Sequence, residues 1–136
     1  MPRILVIDDE PLIRSTVVTL LTREGFSVEE ASDGQVGIAM CHKNPPDVVI
    51  TDIFMPNRDG IEVVMKLKRS CPRTKIIAMT GGGQMRMMEI ASAAKSLGAD
   101  HVLYKPFERE SLLAAVNAVL GIPPPTEEST QWLTPR

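Results

Sequence analysis

The sequence of 136 residues has few aromatic side chains and no excess of charge of either sign. Aromatic residues make up 4% of the chain, and fifteen Lys and Arg residues against seventeen Asp and Glu residues leave a formal charge of −2. A balance this close to neutral gives no overall field that would attract nucleic acid or an anionic bilayer. Direct binding of nucleic acid or of a membrane by this chain is therefore not expected.

Long hydrophobic runs and clustered cysteines are also missing. The apolar run at 47–53 is far shorter than the ~18 residues that a membrane span needs, and residues 1–10 lack the apolar length of a signal peptide. These absences predict a cytoplasmic protein. Cys41 and Cys71 have neither metal-ligand spacing nor a disulfide framework, which predicts small buried hydrophobes in a reducing compartment.

Short β-branched runs alternate with stretches of helical periodicity along the chain, and this pattern is typical of βαβ units around a parallel sheet. Strands are predicted at 4–7, 27–31, 47–51, 75–79 and 101–104. Helices are predicted around 13–21, 34–42, 60–70, 84–97 and 108–120. The run at 47–51 is apolar without alternation, which predicts a central strand buried on both faces.

Residues 1–121 hold all five predicted βα units and are interpreted as one domain. Residues 122–136 begin with three consecutive prolines and are polar apart from Trp132 and Leu133. That composition predicts an extended polar tail, because it cannot bury enough apolar area to offset the entropy of ordering.

Carboxylate, hydroxyl and ammonium groups stand at the carboxyl ends of four predicted strands. Asp8 and Asp9 follow the first strand, Asp52 the third, Thr80 the fourth and Lys105 the fifth. Ligands of open parallel α/β sheets bind outside the carboxyl ends of the strands. We therefore expect these side chains to meet at one edge of the sheet.

Three carboxylates in one place require a cation or shifted pKa values. Two of them about 4 Å apart repel by roughly 4 kcal/mol at an effective dielectric near 20. Oxygen ligands without His or Cys favour Mg²⁺ over zinc, and Mg²⁺ in proteins commonly holds phosphate oxygens. The pattern indicates phosphate chemistry, in which one carboxylate attacks phosphorus while Lys105 and the metal neutralise the transferring group.

Several of these residues also form a recognisable motif set, consisting of Asp8-Asp9, Asp52 with Met55-Pro56 and Gly60 after it, Thr80, and Lys105-Pro106-Phe107. The set resembles the receiver domains of two-component response regulators. The resemblance implies a flavodoxin-like (βα)5 fold with a five-stranded parallel sheet in the order 2-1-3-4-5 and helices on both faces.

The resemblance also implies a role for each matching residue of the acidic cluster. Asp52 is the implied acceptor of the phosphoryl group. Asp9, Asp52 and the backbone carbonyl of Phe54 are the implied Mg²⁺ ligands, and Asp8 would hold the metal through water.

Further implied roles concern the switch between states. Lys105 would pair with the acceptor carboxylate or its phosphate, Thr80 would move to hydrogen-bond the phosphoryl oxygen, and the Lys105–Pro106 peptide bond would be cis. Where relatives place an aromatic switch residue, three positions before the lysine, this chain has Val102. Tyr104 lies on the same strand face as Val102 and is a candidate substitute.

The partners implied by the resemblance are a sensor histidine kinase or a histidine phosphotransfer protein as phosphodonor, and a downstream protein that reads the fourth helix, fifth strand and fifth helix. Such a phosphorelay component is an autocatalytic phosphoryl acceptor with self-dephosphorylation, not a turnover enzyme on an external substrate. Phosphorylation-linked dimerisation is left open.

Phe54 and Gly82 replace polar groups that could orient the attacking water, which predicts slow self-dephosphorylation.

Each site residue has an ordinary structural explanation when it is taken alone. Asp8-Asp9 could cap the first helix, Asp52 could form a turn, Thr80 could cap a helix, and Lys105 could be a solvated lysine. All four positions end predicted strands in the order that the family requires, and this conjunction favours the functional interpretation.

Three rival functions share part of this residue pattern. A phosphatase with an aspartyl nucleophile would need a second acid two residues after Asp52, where Phe54 stands. A constitutive receiver-like binding module would be expected to lack one of the key residues, and all are present. A receiver fragment of a longer DNA-binding response regulator remains open.

Overall fold

The computed structural model describes residues 1–55, 58–81 and 92–122, with the backbone alone at 54–55 and 58–59. The strands of the main sheet are β1 (Arg3–Ile7), β2 (Ser27–Ala31), β3 (Val48–Asp52), β4 (Lys75–Thr80) and β5 (His101–Tyr104). The helices are α1 (Pro11–Arg23), α2 (Gly34–Lys43), α3 (Gly60–Ser70), α4 (described over 92–97) and α5 (Arg109–Leu120). A short antiparallel pair, Phe54–Met55 with Arg58–Asp59, follows β3.

The five strands form a parallel sheet in the order β2-β1-β3-β4-β5. Pairing aligns Ile4 with Val48 and Asp52 with Met79. The α/β class and the strand order predicted above are confirmed. Because β1 and β3 lie side by side, the acidic residues after both strands reach the same edge of the sheet.

Two strands are one residue longer at their carboxyl ends than predicted. Asp52 is the last residue of β3 and Thr80 the last residue of β4, since Asp52 pairs with Met79 and Thr80 with Tyr104. The backbone of both residues is therefore held by the sheet. At α5 the predicted first residue, Glu108, is the N-cap, and the helix begins at Arg109.

The core has one layer on each face of the sheet. Under α2 and α3 lie the buried side chains of Leu5, Ile7, Val49, Val63, Val64, Leu67, Ile76 and Ala78, and under α1 and α5 those of Ile4, Val6, Val17, Leu21, Ile50, Ile77, Met79 and Leu112. Every residue of β3 is buried, as its unalternating apolar sequence predicts.

Both cysteines lie buried in the layer under α2 and α3, as predicted. The Cys71 thiol donates a hydrogen bond to the carbonyl of Cys41 at 3.3 Å. Burial, with the neighbouring Cys71, raises the pKa of the Cys41 thiol to about 12. Cys41 is therefore a thiol at neutral pH and behaves as a small hydrophobe.

Some predicted features lie outside the described residues. They are the turn at Pro56, the glycines Gly82 and Gly83, the start of the predicted fourth helix at 84–91, and the tail at 123–136. Within the described ranges, no helix combines the length and the apolar character that crossing a bilayer demands.

Candidate functional site

The predicted site residues meet at the carboxyl edge of the sheet. Asp8 and Lys105 come directly after β1 and β5, and Asp52 and Thr80 end β3 and β4. These four strands are adjacent in the sheet, so each residue is set by the end of a paired strand and not by a long loop. The expected convergence is confirmed.

Three carboxylates form the centre of the site. Asp8, Asp9 and Asp52 each contribute an oxygen atom, and these oxygens all lie within 4.8 Å of one another. The side chain of Asp8 is fully buried and Asp52 is 4% exposed, whereas Asp9 is more open to solvent. So close a group of acids in so little water favours either protons or a cation among them.

Lys105 is the cation at ion-pairing distance from two of these acids. Its Nζ lies 2.9 Å from Oδ2 of Asp52 and 3.5 Å from Oδ2 of Asp8, and its side chain is 18% exposed. Burial lowers the pKa of Lys105, but its hydrogen bond to Asp52 and the charges of Asp52 and Asp8 outweigh burial and raise that pKa above its usual value. The alternative of a solvated surface lysine is wrong.

Asp8 is held from several directions. Its Oδ1 accepts the backbone N–H of Glu10 at 2.9 Å, and its own N–H donates to the carbonyl of Ala31 at 3.2 Å. Burial is the largest influence on the pKa of Asp8 and raises it, against the lowering effects of the Glu10 N–H and Lys105. The alternative in which Asp8-Asp9 caps the first helix is wrong, because the N-cap residue of α1 is Glu10.

Thr80 contributes a hydroxyl group that is buried without a partner. Its side chain is fully buried, and among the described residues its Oγ1 has no hydrogen-bond partner. Leaving a buried hydroxyl unsatisfied costs about 1–3 kcal/mol. Thr80 follows Met79, the strand partner of Asp52, and its carbonyl accepts the Lys105 N–H at 2.7 Å, so its hydroxyl is suited to an oxygen that arrives with a ligand.

The donor set fits a divalent cation that prefers oxygen. Three carboxylates face one ammonium group, and neither His nor Cys belongs to the cluster. Hard oxygen ligands of this kind suit Mg²⁺ better than zinc. Ligation of Mg²⁺ by Asp8, Asp9, Asp52 and the Phe54 carbonyl stays a prediction.

The two candidate switch residues on β5 differ in exposure. Val102 is buried and pairs with Ala78, whereas Tyr104 is 46% exposed and pairs with Thr80. Tyr104 therefore stands beside the unpartnered hydroxyl in the strand register. The Lys105–Pro106 bond is cis, as the resemblance implied.

Two residues at the site were not predicted from the sequence. Arg14, on α1, donates from Nη1 to the carbonyl oxygen of Asp8 at 2.7 Å and from Nε to Oε1 of Glu30 at 3.0 Å. The available signal was an arginine on the first turns of a helix that directly follows the acid pair.

Comparison with known proteins decides the family. Residues 4–117 match the model of the response regulator receiver domain. The chain belongs to the response regulator receiver domain family. This receiver is therefore a signal-transduction module of two-component systems.

Curated relatives of this receiver are response regulators of greater length. It is 36% identical over 118 residues to the transcriptional regulatory protein TrcR of Mycobacterium tuberculosis, covering 87% of this chain and 45% of that protein. It is 37% identical over 123 residues to the DNA-binding dual master transcriptional regulator RpaA of Synechocystis, covering 88% of this chain and 49% of that protein. The receiver spans about half the length of these relatives.

Solved structures agree with the fold. The receiver superimposes on chemotaxis protein CheY4 of Vibrio cholerae with a TM-score of 0.79 at 33% identity, covering 88% of this chain and 98% of that one. The receiver domain of NtrX from Brucella abortus gives a TM-score of 0.81 at 29% identity, covering 88% of this chain and 99% of that one.

Proposed function

We propose that this receiver accepts a phosphoryl group on Asp52 in a Mg²⁺-dependent reaction and signals to a protein partner by a change of shape. The observation that carries the proposal is the position of Lys105, 2.9 Å from Asp52 within a cluster of three carboxylates, of which Asp8 and Asp52 are buried. Membership of the receiver family supports the same function.

Asp52 suits the acceptor role better than its two neighbours. Asp8 is fully buried, and its two oxygens are engaged by the Glu10 N–H and by Lys105. Asp9 is the most open of the three and lies further from the ammonium group that would neutralise a transferred phosphate, since Lys105 pairs with Asp8 and Asp52 and not with Asp9. Asp52 lies nearest to Lys105.

In the proposed step a carboxylate oxygen of Asp52 attacks the phosphorus of a phosphohistidine. A new P–O bond forms an acyl phosphate, the P–N bond breaks, and its electron pair stays on the imidazole nitrogen, which takes up a proton. A bound Mg²⁺ supplies positive charge to phosphate oxygens. Lys105 neutralises the phosphoryl group from the other side, and Asp8 and Asp9 are positioned to hold the cation.

The proposed change of shape begins at Thr80. Its unpartnered hydroxyl gains a hydrogen bond once a phosphoryl oxygen is present, so phosphorylation favours the conformation in which that bond is made. Tyr104, the strand partner of Thr80, is the residue that we propose responds, in place of the buried Val102. Tyr104 is the single tyrosine of the chain. Fluorotyrosine NMR should therefore give one resonance, shifted by Mg²⁺ with beryllofluoride in the native chain and not in Thr80→Val.

Two surfaces would meet the partners. An apolar cavity of about 400 Å³ beside Lys105, lined in part by the exposed Leu12 and by Phe107, would receive the sensor histidine kinase or histidine phosphotransfer protein. A groove of about 700 Å³ between β5 and α5, lined by Tyr104 and Ala114 among others, would receive the downstream protein or a second receiver.

We place the protein in the cytoplasm and class it as a phosphoprotein without turnover of an external substrate.

Mass spectrometry tests the acceptor directly. The intact chain should gain the mass of one phosphoryl group when it is incubated with phosphoramidate and Mg²⁺, and the gain should be lost with EDTA. Asp52→Asn should abolish the gain, whereas Asp47→Asn, at the opposite edge of the sheet, should leave it unchanged. Full labelling of Asp52→Asn would overturn the assignment.

A second candidate function is supported by the lengths of the relatives. TrcR and RpaA are named as transcriptional and DNA-binding regulators, and the match covers only about half of each. On this hypothesis residues 1–121 form the receiver and 122–136 a Pro-rich polar tail that leads to a DNA-binding domain. A reading frame that continues past the Arg136 codon into such a domain is the expected result, and a stop codon there would exclude it.

A further inference from the structure

Beyond the ladder of β1, the backbone of the acid pair is held by a side chain from α1. The pairing of β1 with β2 and β3 ends at Ile7, so the Asp8 carbonyl has no strand partner in the register. Arg14 supplies the donor, with Nη1 at 2.7 Å from that oxygen. A carbonyl in so buried a place needs such a donor.

The arginine is itself fixed at a second point. Its Nε donates to Oε1 of Glu30 at 3.0 Å, which connects α1 to the carboxyl end of the edge strand β2. The guanidinium group is planar, so two contacts in different directions define its orientation. The Arg14 side chain is 17% exposed and that of Glu30 is 51% exposed. An ion pair with one partner half exposed contributes little to stability, so stability alone gives a weak reason for the arrangement.

Arg14 binds the peptide group that joins Asp8 to Asp9. The Asp8 carbonyl and the Asp9 amide belong to the same planar unit, so fixing one end of the plane fixes the other. Asp9 is the least buried of the three clustered acids, and its carboxylate makes no hydrogen bond or ion pair with the other described residues. Its position therefore depends on the backbone that precedes it.

We propose that Arg14 is a positioning residue, which holds the Asp8–Asp9 peptide so that the Asp9 carboxylate is set for a divalent cation, with Glu30 holding Arg14. The inference rests on the proposed Mg²⁺ site and adds to it a group that touches neither metal nor phosphate. Residues behind the ligands of a metal commonly change its affinity about 10–100-fold when they are replaced.

The charge of Arg14 and its hydrogen bond to the Asp8 carbonyl predict opposite changes in Mg²⁺ affinity when Arg14 is replaced. Arg14 is a cation near a site for a cation, so removing its charge would by itself tighten the binding of Mg²⁺. Losing its hold on the peptide would weaken the binding. Arg14→Lys keeps the charge and loses the two-point contact, because an ammonium group cannot reproduce the planar fork.

Calorimetric titration of the unphosphorylated chain with Mg²⁺ provides the measurement. We expect the dissociation constant to rise about tenfold in Arg14→Gln and to rise less in Arg14→Lys and in Glu30→Gln. Arg23→Gln, at the exposed end of the same helix, is the matched control and should bind as the native chain does. Thermal unfolding without metal should show that all four variants are folded.

A second readout separates positioning from a general loss of function. The rate of labelling by phosphoramidate should require more Mg²⁺ in Arg14→Gln, and it should approach the native rate at saturating Mg²⁺. Tighter binding in Arg14→Gln, or native affinity in both Arg14 variants, would overturn the inference while leaving the proposed function intact. A native chain that binds no Mg²⁺ would overturn both.

Discussion

The two edges of the sheet use the same residue types for opposite purposes. At the amino edge each acid has a donor of its own. Asp47 accepts the Arg3 backbone N–H at 2.7 Å, and Asp100 accepts the Ile76 N–H at 2.8 Å with Lys68 at 3.4 Å. The hydroxyl of Thr74 is also paired, since it donates to a carbonyl at 2.8 Å.

The carboxyl edge brings like charges together. Three carboxylates lie within 4.8 Å of one another, Asp8 and Asp52 form ion pairs with Lys105, and the Thr80 hydroxyl has no partner in the described part of the chain. The amino edge is therefore organised for stability, whereas the carboxyl edge keeps charge and hydrogen-bonding capacity for a ligand at some cost in stability. Substitutions of the same kind at the two edges should separate these purposes.

The largest difference is expected between two lysines. Lys105→Met leaves Asp8 and Asp52 without their cation, and we expect the free energy of unfolding to fall by about 2 kcal/mol, because a buried partner is left uncompensated. Lys68→Met removes a partly exposed pair with Asp100, whose side chains are 31% and 27% exposed, and should cost less than about 1 kcal/mol. Urea denaturation of both variants without metal provides the comparison.

Magnesium should sharpen this contrast. Added Mg²⁺ should recover part of the stability that Lys105→Met has lost, because it supplies a cation to the same acids, and it should leave Lys68→Met unchanged relative to the native chain. Equal losses in the two variants, with no difference in the response to Mg²⁺, would contradict the distinction between the edges.

A second pair of substitutions should differ in sign. Burial raises the pKa of Asp8, so its ionised form destabilises the fold, and Asp8→Asn should stabilise the metal-free protein. Asp47→Asn weakens the acceptor of the Arg3 N–H and should cost up to about 1 kcal/mol. Denaturant midpoints at pH 7 measure both effects.

The pH dependence provides the control for Asp8. An acid whose pKa is raised by folding lowers the free energy of unfolding at pH values above that pKa. This loss of stability disappears as the pH falls through the pKa. The advantage of Asp8→Asn over the native chain should therefore shrink between pH 7 and pH 4. An advantage that stays constant over this range would show that ionisation of Asp8 is not its cause.

Much of the carboxyl edge could be predicted from the sequence, because the carboxyl ends of parallel strands lie on the same side of a sheet. Asp52, Thr80 and Lys105 each end or follow a β-branched run, and strand order alone then brings them together. The strand at 101–104 was predicted with its observed bounds. The ends of β3 and β4 were each missed by one residue, because polar residues resemble the start of a loop although the backbone still pairs.

Other features of the site depend on contacts that no local pattern contains. Nothing in the adjacent pair Asp8-Asp9 indicates which acid is buried, and burial is what raises the pKa of Asp8. Arg14 meets its carbonyl only because α1 turns back over the end of β1, and Glu30 belongs to a different strand. The cis geometry at Lys105–Pro106 came from the family resemblance and not from the residues themselves.

The smallest expected effect belongs to the amino edge. His101 begins β5, and burial, with the nearby charge of Lys95, lowers its pKa below the usual 6.5. The unfolded chain therefore takes up a proton before the folded one does, so stability is lost as the pH falls from about 6.5 through the lowered pKa. Because the imidazole is only partly buried, solvent screening keeps the loss small.

The dependence of stability on pH tests this assignment. His101→Gln should reduce the difference between the urea midpoints at pH 7 and pH 5 relative to the native chain. Acid should then have opposite effects on stability at the two edges. Protonation of Asp8 stabilises the fold at the carboxyl edge, whereas protonation of His101 destabilises it at the amino edge. If His101→Gln left the acid loss unchanged, His101 would not be its source, and the predicted contrast in acid response between the edges would be contradicted.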